Sequence, residues 1–361
     1  MTGAAQRRRL IAFAHGIDDP ACRFRIRQYV PCLEQAGWDV RLSTNHPERP
    51  RDSPYRNPLL RTAHQRCRVA VRQLWRRWDI RAAAAFDAVL LNRDLLQGRI
   101  EYEQLLLREN PRVIFDFDDA IFLGEKAAHT EWICRRAAWV TAGNERLASF
   151  ARQFTDRVTV LPTVVDTDAC AVSRQDSRGR PVRIGWLGSD RSIQETLFPF
   201  LPLFARLQQQ LGFDFVIVSK PEPAVPEPAL RWSFVEWSPA VETRIGDVID
   251  IGIMPLTDTE FHRGKCGCKL LQYMAAGLPV VASPVGINSY LVATGERGHL
   301  AETEADWSKA FAELIADREL RLRMGARGRA FVEREFSRSA WFPVLLDILE
   351  KVANGPSRRR R

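Results

Sequence analysis

No stretch of this 361-residue chain approaches the roughly 18–20 consecutive apolar residues that a membrane-spanning helix needs. The opening MTGAAQRRRLIAFAHG has an apolar run too short, and broken too soon, for a secretory signal. Both absences lead to the expectation of a cytoplasmic protein. The seven cysteines (Cys22, Cys32, Cys67, Cys134, Cys170, Cys266 and Cys268) are odd in number and lack paired C-x-x-C spacing, which excludes a disulfide framework and a zinc-finger ligand set. Reduced thiols are expected. Cys266-Gly267-Cys268 is the one close pair, and with no histidine cluster elsewhere to complete a site, no metal is expected. No solenoid-length repeat is visible. Nor is there a helix-turn-helix, zinc-finger or aromatic RNA-binding signature, so no nucleic-acid partner is expected and a basic nucleic-acid-binding protein is the remotest reading.

What is present is a globular composition, 45% hydrophobic and 27% charged. The length exceeds the roughly 250–300 residues at which a single core stops growing, so two domains are expected. The net charge of +9 comes chiefly from arginine, whose planar, many-donor head suits phosphate-bearing or anionic partners. Arg7 to Arg9 and Arg358 to Arg361 read as solvated charge at the two ends.

Short β-rich runs alternate with helical stretches, the pattern of βα units that stack into parallel sheets. The first half offers runs at 9–15, 38–44, 86–93, 112–119, 139–143 and 158–166. Polar, glycine- and proline-punctuated residues 168–182 then interrupt the pattern and read as a linker. Runs at 182–189, 213–220, 231–237, 248–256 and 278–286 follow, nearly continuous in apolar residues as doubly buried strands should be. From Asp306 to Ala353 the pattern is helical throughout. The expectation is an α/β fold of two Rossmann-like, doubly wound domains facing each other across a cleft, with ligands at the C-terminal ends of the strands. Their bounds are read as 1–170 and 180–338, followed by a helix at 339–353 and a basic tail at 354–361.

RGKCGCKLLQYMAAGLPVVASPVGIN (263–288) resembles the donor-binding strand–helix–strand segment of the GT-B glycosyltransferases of retaining family 4, often labelled "glycosyl transferases group 1". CRFRIRQYVPCLEQAGWDV (22–40), LLNRDLLQG (90–98), FDFDDAIF (115–122), AGNERLASFA (142–151), LPTVVD (161–166), IGWLGS (184–189) and RMGARGRAFVEREFS (323–337) resemble further stretches of bacterial members, in the family's order. The resemblance implies the GT-B fold, a nucleotide-sugar donor, retention of anomeric configuration, independence of metal and a last helix crossing back to the first domain.

The chemistry can be stated from the residues. A departing nucleoside diphosphate gains negative charge as the glycosidic bond breaks, so fixed cations and helix N-terminal amides stabilise the transition state more than the ground state. Arg263, Lys265 and Lys269 stand at the entry to the helical 268–277 stretch and are the diphosphate candidates. For Arg263 and Lys265 a solvated basic loop is the competing reading. Gly188-Ser189 ends the first strand of the second domain, where a phosphate-approaching turn belongs, and Arg191 follows. Gln272 stands where the resembled family usually has a glutamate that accepts from ribose hydroxyls, and Gly264 replaces a second glutamate. Gln272 retains an acceptor oxygen for that task, whereas any catalytic role of the absent carboxylate does not carry over.

Asp116-Phe117-Asp118-Asp119 ends an apolar strand, and carboxylates so close need compensation. Asp118 and Asp119 are the catalytic candidates, with contacts to acceptor or sugar; an N-cap with a structural salt bridge is the alternative for any one of them. Arg93 is a candidate charge partner, and Arg23 and Arg25 are candidates for the acceptor side. A second reading takes Asp116-x-Asp118 as a D-x-D metal motif. His15 is assigned no role.

QRCRVAVRQLWRRWDIR (65–81) interleaves arginines with Val71, Leu74, Trp75 and Trp78, which share one helical face. Either it lies on an anionic membrane surface, where a lipid-linked acceptor would be found, or its tryptophans pack on the first domain. The expected function is transfer of a sugar from a nucleotide diphosphate donor to a saccharide or lipid-linked acceptor in polysaccharide or glycoconjugate assembly, with no cofactor. An epimerase, a hydrolase or a non-catalytic donor-binding homologue is the alternative.

Overall fold

The computed structural model describes residues 7–45, 54–96, 98–174 and 179–355. Arg358 to Arg361 lie outside them. The chain divides into two compact units, residues 1–162 with 342–361, and residues 163–341.

In the first unit six parallel strands, β1 (Arg8–Phe13), β2 (Trp38–Ser43), β3 (Ala88–Asn92), β4 (Val113–Phe117), β5 (Trp139–Ala142) and β6 (Val158–Val160), pair in the order β2-β1-β3-β4-β5-β6. Every residue of β3 and β4 is buried, which explains why apolar continuity rather than alternation marked these strands. The order reverses between β1 and β3, so the loops leaving their C-terminal ends, at His15 and Arg93, flank the switch point where doubly wound sheets bind ligands. The Arg338–Asn354 helix contributes its residues from Phe342 onward to this unit: Phe342 stacks on Tyr29 and Asn354 accepts a 3.0 Å hydrogen bond from Arg8.

In the second unit β7 (Arg183–Leu187), β8 (Asp214–Ser219), β9 (Trp232–Glu236), β10 (Ile251–Met254), β11 (Val280–Ala282) and β12 (Gly298–Leu300) pair in parallel in the order β12-β11-β10-β7-β8-β9. Here the reversal falls between β7 and β10. An aromatic cluster of Phe204, Phe213, Phe215, Trp307 and Phe311 fills the core on one side of the sheet. The Glu304–Ala316, Arg318–Glu335 and Arg338–Asn354 helices account for the helical C-terminal pattern.

Two sequence readings are corrected. The first unit closes at Pro162, earlier than the polar 168–182 stretch read as the linker. Val165 bridges to Ser337, and the Arg329 guanidinium donates to the Thr167 and Cys170 carbonyls, which ties this stretch to the second unit. The twelfth strand was missed because Gly298-His299-Leu300 is three residues long, half-buried at the sheet edge and without a β-branched side chain.

Candidate functional site

In the first unit the aspartates separate by depth. Asp116, at 1% exposure, is fully engaged: Arg25 donates to both its carboxylate oxygens at 3.1 and 2.5 Å, Asn92 at 2.8 Å and Thr141 at 2.7 Å. Arg25 also donates to the Leu161 carbonyl at 2.6 Å. The D-x-D metal reading fails here, because these donors consume the acceptor capacity of Asp116 and aim positive charge at it. Among the described residues no group of three or more metal-ligating side chains gathers anywhere.

Asp118 and Asp119 sit one layer outward and share Arg93, which donates to Asp118 at 2.9 and 2.8 Å and to Asp119 at 2.7 Å. Arg93 holds a left-handed φ of 61°, unusual for a residue with a side chain. Burial opposes ionisation of Asp118, but the Arg93 and then the Arg25 guanidinium outweigh it and hold the carboxyl below its ordinary range. Asp118 is therefore an ionised hydrogen-bond acceptor, poorly suited to act as a general acid. Arg23 is buried with its guanidinium 4.9 Å from the Phe24 ring. Next to this cluster is a pair without an assigned role in the sequence reading. His15 Nε2 lies 3.2 Å from the Asp94 carboxylate, and although burial pushes that carboxyl up, the His15 hydrogen bond and charge lead the effects that bring it down to about 2.

In the second unit the Cys268–Ala275 helix presents Lys269 in its first turn. The Lys269 ammonium donates to Ser192 Oγ at 3.0 Å and lies 5.1 Å from the Trp186 ring centre. Gly188 is required at this meeting point: a Cβ there would stand 2.3 Å from the Trp186 ring and 3.0 Å from the Lys269 side chain. Ser189 caps the Asp190–Thr196 helix by accepting from the Ser192 N–H at 3.3 Å. The buried Tyr273 hydroxyl accepts the Leu187 N–H at 2.7 Å, locking the Cys268–Ala275 helix to the end of β7. Arg329 donates to the Ala275 carbonyl at the other end of that helix, where the dipole is negative. Gly277 takes the left-handed φ of 69° expected past its C-terminus.

The remaining donor candidates are placed differently. Arg263 is exposed and bound to Asp258 at 2.6 and 2.7 Å and to Glu260 at 3.1 Å. Lys265 lies 4.8 Å from the Phe261 ring centre. Arg191 pairs along its own helix with Glu195. Gln272 is buried, its side-chain oxygen 3.7 Å from Cys268 Sγ. The structure thus joins Gly188, Ser189 and Lys269 through Ser192 and Trp186, and sets Arg263 in an acidic surface cluster. Trp186 and Ser192 were not singled out from the sequence, where one reads as core and the other as an ordinary helix serine.

Residues 181–317 match the family model described as Glycosyl transferases group 1. No curated protein matches the chain in sequence. Among solved structures, a sucrose-phosphate synthase from Thermosynechococcus elongatus superposes with a TM-score of 0.69 at 16% identity, covering 96% of this chain and 99% of that one. HepE from Anabaena, in complex with UDP and glucose, gives 0.66 at 14% identity, covering 96% and 100%. The apo form of the lipopolysaccharide outer core galactosyltransferase WaaB gives 0.61 at 11% identity, covering 95% and 99%. Residues 181–317 thus match a glycosyl transferases group 1 model, and the chain as a whole shares its two-unit α/β fold with these solved structures.

Proposed function

We propose that the chain transfers a sugar from a nucleoside diphosphate donor to a saccharide or lipid-linked acceptor in polysaccharide or glycoconjugate assembly, with the retention of configuration that the family resemblance implies. The observation that carries the donor side is Lys269, held by Ser192 and Trp186 against the Gly188-Ser189 turn at the end of β7. A cation in the first turn of a helix, beside a turn with no side chain in the way, is a built receiver for a diphosphate that gains charge as its sugar leaves. In this reading Gln272 accepts from the ribose, and Lys265, Arg191 and, after release from its acidic partners, Arg263 add to the phosphate field. Asp118 and Asp119, oriented by Arg93, orient hydroxyls of acceptor or sugar, with Arg23 and Arg25 supporting that side. Lysine and arginine take the place of a metal, so activity should survive EDTA.

Calorimetric titration with UDP, GDP and dTDP tests the donor site, and the HepE complex with UDP-glucose makes UDP the first choice. Lys269→Ala should weaken binding; equal affinity in both proteins would refute the assignment. Gln272 and Gly264, in place of two acidic residues, support a second reading as a donor-binding homologue without transfer. Nucleotide binding with no sugar transferred to any acceptor would favour it.

We further propose a cytoplasmic protein peripheral to an anionic membrane. Among the described residues no helix is long and apolar enough to cross a membrane. The Pro58–Ala82 helix leaves Trp75 and Trp78 about half exposed, 47% and 54%, which supports this reading.

A further inference from the structure

The Pro58–Ala82 helix buries two charged side chains: its buried residues are Arg76, Asp79 and Ile80. Arg76 donates to the Ser43 hydroxyl at 2.9 Å and to the Ala14 carbonyl at 3.2 Å, and Asp79 accepts from Ser43 and Arg41. At 100° per residue, Leu60, Leu74 and Trp78 fall on the opposite side, and all three are exposed, Leu74 by 66%. The apolar strip faces solvent while the polar residues anchor the helix to the sheet.

Arg77 and Arg81 border this strip, about one and two turns on from Leu74. They line a cavity of about 250 Å³ that the Glu101–Glu109 helix closes with Tyr102 and Arg108. Arg81 and Arg108 have no acidic partner among the described residues, and Arg77 lies 5.7 Å from the Tyr102 ring centre. Tyr102 is 1% exposed, yet its hydroxyl has no hydrogen-bond partner. The single carboxylate on the wall, Glu101, is bound to Arg99. Three guanidinium groups around a cavity of this size call for a compact, highly charged anion, and the adjoining apolar strip calls for hydrocarbon.

We infer that this cavity binds the phosphomonoester head group of a membrane lipid, whose hydrocarbon lies along the Leu60–Leu74–Trp78 strip. The inference rests on the peripheral-membrane reading above and adds to it a specific head-group site.

The test is co-sedimentation of the full chain with phosphatidylcholine vesicles carrying either phosphatidate or phosphatidylglycerol, matched in surface charge, at 0.15 M salt. The expected result is about tenfold tighter binding to phosphatidate, the yield of one charge-assisted hydrogen bond. The double variant R81Q/R108Q should erase that preference and keep the general attraction to anionic vesicles; both positions are exposed, so the fold does not depend on them. Leu74→Ser with Trp78→Ser should weaken binding to both compositions. Equal binding to the two lipids, or a preference that persists in R81Q/R108Q, overturns the head-group site while leaving the peripheral reading intact. No sedimentation with either anionic vesicle defeats the peripheral reading and the site with it. Glycerol 3-phosphate binding in calorimetry as tightly as phosphatidate vesicles would assign the cavity to a soluble phosphate and overturn the lipid.

Discussion

Lys269 donates from its ammonium to the Ser192 hydroxyl at 3.0 Å while lying 5.1 Å from the centre of the Trp186 ring, so a side chain with four rotatable bonds is held at both its polar and its apolar surfaces. A cation held in advance costs less to order when a diphosphate arrives. Lys269→Ala is therefore expected to weaken nucleoside diphosphate binding by roughly 10- to 100-fold, the equivalent of about 1.5–3 kcal/mol for one charge-assisted hydrogen bond. Calorimetry gives the affinity, and an unchanged circular dichroism melt would show that the loss is local.

A second prediction concerns Gly325. A Cβ at this position would stand 2.0 Å from the Gly277 carbonyl oxygen, in backbone that cannot swing aside as a side chain can. Gly325→Ala should lower stability by about 1–3 kcal/mol, the usual cost of overpacking, and should weaken nucleotide binding as well, since the Cys268–Ala275 helix ends beside this contact. Urea unfolding and calorimetry on the same variant would check both parts.

The strands were legible because a doubly buried strand must be apolar at nearly every position, and β3 and β4 are. The place of Lys269 in the first turn of the Cys268–Ala275 helix was legible because the 268–277 stretch reads as helical. Partnerships across long sequence separations were not. Nothing local in the sequence couples Arg25 to Asp116, which lies 91 residues away and is held by it in a buried ion pair. Arg263 is the opposite case: its partners Asp258 and Glu260 are near neighbours in sequence, and its salt bridges are local.

Removal of the Arg93 side chain leaves two carboxylates, both less than a quarter exposed, without their shared countercharge. Arg93→Ala should destabilise the protein by roughly 3 kcal/mol, as stripping one partner from a buried ion pair does. The companion Asp118→Asn keeps a hydrogen-bond acceptor for Arg93 and should cost less stability than Arg93→Ala while still reducing transfer activity. Denaturant melts and initial rates on the two variants separate these effects.

Acid sensitivity has an identifiable source in the second unit. Burial pushes the Asp250 carboxyl up, but hydrogen bonds from Arg180 and Arg183 bring it below its ordinary value of 3.8. A carboxyl lowered in the folded state contributes its full stabilisation above that ordinary value and loses it as the pH falls from there through the depressed one. Asp250→Asn should therefore reduce stability at neutral pH and flatten the decline below about pH 4. Melting temperatures of the two proteins recorded from pH 7 to pH 2 should converge toward the acid end.

The left-handed backbone at Arg93 sets two selective pressures against each other. Glycine would relieve the conformational cost, of the order of 1–2 kcal/mol, that any residue with a Cβ bears at such a φ. It would also delete the guanidinium that Asp118 and Asp119 share. A population drifting toward greater stability and one selected for turnover should therefore diverge at this position, and an arginine retained there in spite of its backbone would be a record of chemistry prevailing over folding.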